Sequence, residues 1–146
     1  MIPYNQVETS KLTIERNIMK HTILIVDDSL EMRNSLSNCF SCLGHDVIVA
    51  ESGDDGWRAF RKNKTTIDRV LTDYEMTGID GIDGITVIKC IRRLDQNMVT
   101  CLMSGNMTSS LRCEALQAGA TSTFSKGNRV SLLLEALNIG HATDSI

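Results

Sequence analysis

Aromatic residues are scarce. Phe, Trp and Tyr together make up 4% of the chain, so a core built from this sequence must be aliphatic, with seven Met residues available to fill irregular gaps. Long apolar runs are lacking too: no stretch approaches the roughly 20 consecutive apolar residues that a membrane-spanning helix needs. Residues 1–20 carry Glu8, Lys11, Glu15 and Arg16 and no continuous apolar segment, which argues against a secretory leader. Nor is there a large excess of charge of one sign. The formal net charge is −3, and a chain that bound nucleic acid directly would need clustered Lys and Arg to neutralise phosphates.

Paired cysteines are also missing. Five Cys stand at 39, 42, 90, 101 and 113. An odd count at irregular spacing, inside apolar segments, predicts buried free thiols in a reducing cytoplasm. Cys39 and Cys42 form a C-x-x-C, but a redox pair belongs at a helix N-terminus after a strand. This pair falls late in a helical pattern. His21, His45 and His141 have no spacing that suggests a metal site.

What remains is an ordinary globular balance in 146 residues, 42% apolar and 23% charged. That length suits one domain, which can bury roughly 68–70% of its unfolded surface without help from a metal or disulfide. Residues 1–20 read as a polar extension, residues 21–140 as the patterned domain and residues 141–146 as a tail. Within the domain, His21–Val26, Asp46–Ala50, Ile67–Thr72, Met98–Met103 and Thr121–Ser125 are short apolar runs bounded by turn residues, the mark of buried parallel strands. Between them, helices are predicted over Leu30–Leu43, with Asp28 or Ser29 as cap and Gly44 as stop, and over Gly53–Lys64, with Trp57 and Phe60 on one face. Ile85, Val87, Ile88 and Ile91 mark a third helix. Leu111, Ala115 and Leu116, closed by Gly119, mark a fourth, and Val130–Leu137 a fifth.

Five strands alternating with five helices predict an α/β fold: a flavodoxin-like, doubly wound, five-stranded parallel sheet with strand order 2-1-3-4-5. In such sheets ligands bind at the C-terminal ends of the strands, near the switch point. Polar residues fall there in this chain. The first strand ends in Asp27-Asp28, the third in Asp73, the fourth in Ser104 and the fifth in Lys126. Each has a bland reading on its own, as a helix cap, a turn residue or a surface lysine. Those readings give no reason for all of them to end strands of one sheet.

Clustered carboxylates repel one another and call for a cation. Mg²⁺ binds through one or two carboxylates and keeps waters, leaving room for a phosphate oxygen. Lys126 adds a mobile positive charge, and Ser104 a hydroxyl donor. Phosphoryl transfer needs positioning and charge neutralisation above all, and Asp73 is the candidate nucleophile.

The segments Ile23-Leu-Ile-Val-Asp-Asp-Ser29, Val70-Leu-Thr-Asp-Tyr-Glu-Met76, Leu102-Met-Ser-Gly-Asn106, Ala118-Gly-Ala120 and Phe124-Ser-Lys126, taken in order, resemble the receiver domains of bacterial two-component response regulators, of the single-domain chemotaxis type. The resemblance spans about residues 21–140. It implies that Asp73 is the phosphoacceptor, and that Asp28, Asp73 and the main-chain carbonyl of Glu75 bind Mg²⁺, with Asp27 acting through a water. It implies that Ser104, the Gly105 backbone N–H and Lys126 hold phosphoryl oxygens. A histidine kinase or phosphotransfer protein would then be the donor. The chain would be a stoichiometric, self-catalysing phosphoacceptor rather than an enzyme, its output a contact with another protein, as a monomer or a weak phosphorylation-linked dimer.

Three positions depart from that family's pattern. Gly127 follows Lys126 where receivers usually carry Pro, often cis. A cis bond without Pro costs about 2.5–4 kcal/mol, so a trans bond is expected, with Gly127 taking unusual dihedrals. Thr123 stands where many receivers have a switch aromatic, which shifts the expected output to Ser104 and the loop after the fourth strand. The loop from Met76 to Gly84 lacks a Pro and repeats Ile-Asp-Gly. Two other readings compete: a receiver-shaped binding module without phosphorylation, and a haloacid-dehalogenase-like phosphatase built on Asp73-Tyr-Glu-Met-Thr77. In the phosphatase reading the motif follows the wrong strand and Asp27-Asp28 has no role.

Overall fold

The computed structural model of the protein describes residues 19–76 and 81–140. Five strands, β1 (Thr22–Val26), β2 (Asp46–Ala50), β3 (Arg69–Asp73), β4 (Val99–Ser104) and β5 (Ser122–Ser125), alternate with α1 (Leu30–Cys42), α2 (Gly53–Lys62), α3 (Gly84–Leu94), α4 (Ser109–Ala118) and α5 (Val130–Ala136). All neighbouring strands are parallel, in the order β2-β1-β3-β4-β5. The expected flavodoxin-like arrangement is the one observed.

The central strands are apolar on both faces because helices cover both. Ile23, Ile25, Leu71, Cys101 and Met103 point to one side, against Phe40 of α1 and Leu133, Leu134 and Leu137 at α5. Leu24, Val26 and Val70 point to the other, against Phe60, Val87 and Ile91 of α2 and α3. Leu102 packs with Ile85, Ile88 and Ala115 between α3 and α4. Each such aliphatic side chain contributes about 1.5–3 kcal/mol when fully buried. The two halves of the sheet are thus held as one body, with the strand ends as its fixed points.

Local chemistry sets the helix ends. The side chains of Ser29, Ser52, Asp83 and Thr108 each accept a hydrogen bond from a first-turn backbone N–H, at 3.3, 3.1, 2.9 and 3.0 Å. Gly44 and Gly119 follow α1 and α4 with φ of +91° and +110°, a backbone region that favours glycine at helix ends. No cis peptide bond occurs among the described residues, and Gly127 takes φ +92°, as the departure from Lys-Pro leads one to expect.

Several apolar residues lie off the packed faces of their helices. Leu30 is 62% exposed, Leu116 47% and Leu43 39%. The packed stripe of α1 is Met32, Leu36 and Phe40, spaced four apart. Leu30 is two residues from Met32, about 200° around the helix, and Leu43 lies past its last turn. In α4 the inward row is Leu111, Ala115 and Ala118, and Leu116 is one step off it. The same geometry corrects the cysteines. All five are free, but only Cys101 is buried. Cys42 and Cys113 are exposed, each two residues from a buried helical position. Residues 1–18 and 141–146, with His141, and the Thr77–Asp80 part of the repeated loop lie outside the described residues.

Candidate functional site

Strand register brings the acids together. Val26 pairs with Thr72, so Asp27, just past the end of β1, comes beside Asp73, the last residue of β3. Asp28 follows in the turn into α1. Carboxylate oxygens of Asp27, Asp28 and Asp73 lie within 4.8 Å of one another. Asp27 is fully buried and Asp73 2% exposed, whereas Asp28 faces solvent.

Lys126 reaches this cluster from the end of β5. Its Nζ lies 3.1 Å from Asp27 Oδ2 and 3.0 Å from Asp73 Oδ1. The backbone aims it there, because Ser125 pairs with Ser104 and the Lys126 N–H donates to the Ser104 carbonyl at 2.9 Å. The second oxygen of Asp27 accepts from the Ser29 N–H at 2.9 Å. Arg33 Nη1 donates to the Asp27 carbonyl at 2.9 Å, tying the turn to the first full turn of α1.

Charge balance is unfavourable for Asp73. Burial pushes its carboxyl up to about 6, Lys126 pulls the other way, and the Asp27 and Asp28 charges add to the upward push. For Lys126, burial lowers the ammonium's pKa, but its close pairing with the Asp73 and Asp27 carboxylates outweighs that and holds the group above its ordinary value. Asp27 Oδ2 and Asp73 Oδ1 accept no well-aligned hydrogen bond. Their contact with the ammonium is an ion pair that leaves acceptor capacity unused. Buried, under-satisfied hard oxygens beside a third carboxylate fit a small divalent cation such as Mg²⁺.

Ser104 ends β4 on the neighbouring strand and is fully buried. Its hydroxyl donates to Glu75 Oε1 at 3.0 Å and accepts from the Asn106 N–H at 3.1 Å. Gly105 and Glu75 sit on the loops after β4 and β3. The structure therefore gathers Asp27, Asp28, Asp73 and Lys126 into one cluster, with Ser104 at the adjacent strand end.

Three contacts cannot be read from residue type or spacing. The side chain of Glu75 touches Ser104. The guanidinium of Arg33 holds the Asp27 backbone. Gly84 lets α3 begin directly against Asp73: a Cβ there would lie 2.2 Å from the Asp73 carbonyl oxygen and 2.8 Å from Leu102 Cδ1. The repeated Ile-Asp-Gly signals a special glycine but not which of the two is needed.

Known proteins resemble this chain in sequence and fold. The chemotaxis protein CheY of Bacillus subtilis is 31% identical over 121 residues, 82% of this chain and 97% of that one. A CheX–CheY–BeF3–Mg complex from Borrelia burgdorferi contains a chain with TM-score 0.73 and 26% identity, covering 80% of this chain and 85% of that chain. A receiver domain protein from Clostridium thermocellum, 24% identical, shares the fold with TM-score 0.74 over 81% of this chain and 91% of its own. The response regulator receiver domain family matches residues 23–138, with the acidic cluster, Ser104 and Lys126 inside that span, and this chain belongs to that family.

Proposed function

We propose that this receiver is the phosphoacceptor switch of a two-component phosphorelay, with Asp73 as the acceptor. The observation that carries the reading is the buried Asp27–Lys126–Asp73 cluster, whose two carboxylate oxygens face one ammonium with capacity to spare.

Asp28, Asp73 and the Glu75 main-chain carbonyl would hold Mg²⁺, with Asp27 acting through a water. When bound, Mg²⁺ neutralises the carboxylates and orients a phosphoryl oxygen. Asp73 contributes the attacking carboxylate oxygen. A P–O bond to Asp73 forms as the P–N bond of a donor phosphohistidine breaks, and the imidazole leaves. Lys126 then turns from pairing with a carboxylate to pairing with the phosphoryl group, while the Ser104 hydroxyl and Gly105 N–H donate to its other oxygens. The modified residue gains about −1.5 to −2 in charge. That change draws Ser104 and the loop to α4 toward Asp73, which alters the surface read by a partner.

The donor would be a histidine kinase or phosphotransfer protein, and the receptor of the signal another protein rather than nucleic acid. The working form would be a cytoplasmic monomer or a weak phosphorylation-linked dimer, with residues 21–140 as the functional unit. No helix among the described residues is long and apolar enough to cross a membrane. The gathering of Asp27 and Asp28 beside Asp73 supports this reading over a phosphatase of the haloacid-dehalogenase type, which leaves that pair idle. Phosphorus NMR tests it: acetyl phosphate with Mg²⁺ should yield a protein-bound acyl-phosphate signal that chelation prevents. Mg²⁺ binding without that signal would favour a phosphorylation-independent binding module.

A further inference from the structure

The Ser104 hydroxyl carries one proton, and that proton is already placed. It is donated to Glu75 Oε1 at 3.0 Å, while the Asn106 N–H occupies the oxygen from the other side at 3.1 Å. Ser104 is fully buried, so neither bond is an incidental surface contact. Glu75 itself is exposed and reaches in from the loop that follows β3. A hydroxyl can serve one acceptor at a time with its single proton. In the proposed switch that acceptor would be a phosphoryl oxygen on Asp73.

We infer that the Glu75 carboxylate is an intramolecular placeholder for the phosphoryl group: it holds the Ser104 hydroxyl in the resting state and must be displaced for the active state to form. The inference rests on the phosphoacceptor reading of Asp73. It gives the Glu75 side chain a role separate from its main-chain carbonyl, and makes it a positioning residue that acts through Ser104. Two effects oppose activation together. One hydrogen bond to a charged acceptor has to break, and a second negative charge must share the space with the phosphoryl group or swing out into solvent, which the exposure of Glu75 allows. The loop from Gly105 to Thr108 is tethered to the same hydroxyl through Asn106. Displacing Glu75 therefore frees Ser104 to move and carries the start of α4 with it.

The test uses beryllofluoride with saturating Mg²⁺ as the phosphoryl mimic, its affinity read by fluorine NMR on the full chain. Glu75→Ala should bind it about fivefold to tenfold more tightly than wild type, the range expected when a partly exposed, charge-assisted hydrogen bond no longer competes. Glu75→Gln keeps an acceptor but loses the charge, and should fall between the two. A charge effect alone would make the two substitutions equal. In a Ser104→Ala background, which has no proton to compete for, Glu75→Ala should gain much less, so the double-mutant cycle isolates the hydroxyl. Unchanged affinity in Glu75→Ala, or the same gain with and without the hydroxyl, overturns the placeholder while wild-type binding leaves the phosphoacceptor reading intact. If no form, wild type included, binds beryllofluoride with Mg²⁺, the phosphoacceptor reading falls and the placeholder with it. Thermal melting of each variant guards against misfolding, and Glu75→Ala should melt close to wild type.

Discussion

The ammonium of Lys126 lies 3.0 Å from Asp73 Oδ1, and the same nitrogen is 3.1 Å from Asp27 Oδ2. One cation thus serves two buried anions. Removing one partner of a buried ion pair leaves uncompensated charge and typically costs about 3–5 kcal/mol. Lys126→Met should therefore lower stability by about 3 kcal/mol in urea denaturation at neutral pH, and Mg²⁺ should restore part of the loss. A variant as stable as wild type would show that the acids are better solvated than their burial implies.

Asp73 makes the opposite prediction. Its carboxyl is held near 6, against an ordinary value of 3.8, first by burial. A carboxyl raised on folding opposes folding when ionised. The penalty is absent below about pH 4, grows as pH rises toward 6 and is complete above that; a difference of this size is worth about 3 kcal/mol. Without Mg²⁺, Asp73→Asn should match wild type near pH 4 and exceed its melting temperature increasingly up to about pH 7. Added Mg²⁺ should narrow the gap by stabilising wild type alone. A gap independent of pH would contradict the burial of this charge.

The two glycines of the repeated Ile-Asp-Gly should behave differently. A Cβ on Gly84 would lie 2.2 Å from the Asp73 carbonyl oxygen, while one on Gly81 would meet nothing within 4 Å, although Gly81 has φ +65°. Gly81→Ala should cost about 1–2 kcal/mol through its left-handed backbone and leave phosphorylation near the wild-type rate. Gly84→Ala should cost about 1–3 kcal/mol or more by overpacking and slow phosphorylation by displacing Asp73. Melting curves and adduct formation measured on both variants separate the two effects.

Thiol chemistry reports on the core independently. Burial pushes the Cys101 thiol up to about 12, whereas Cys42 and Cys113 are exposed. Iodoacetamide at about pH 8 should label Cys42 and Cys113 within minutes and spare Cys101 until denaturant is added, since the thiolate is the reactive form. Peptide mapping that found Cys101 labelled at the rate of Cys113 would mean that β4 opens readily.

Strand ends were legible in the sequence because a buried parallel strand is a run of aliphatic residues, and its first polar residue marks where the sheet stops covering it. Asp27, Asp73, Ser104 and Lys126 could be placed at one pole on that ground before any contact was known. Helix faces were less legible. Leu30, Leu116, Cys42 and Cys113 are apolar but lie about 100–200° from the packed rows, and short helices leave few residues to define a row. The Glu75–Ser104 hydrogen bond joins residues 29 positions apart through side chains, and no periodicity encodes it. Gly84 was distinguishable from Gly81 only once α3 was seen to start against the Asp73 carbonyl.

Phosphoryl transfer to Asp73 should depend on the acidic cluster around it. The most direct measurement is intact-mass spectrometry after incubation with acetyl phosphate and Mg²⁺, with Asp73→Asn and EDTA controls run alongside. Wild type should gain one phosphoryl adduct, and neither control should gain any. An adduct that survives in Asp73→Asn, or persists in EDTA, would contradict that expectation.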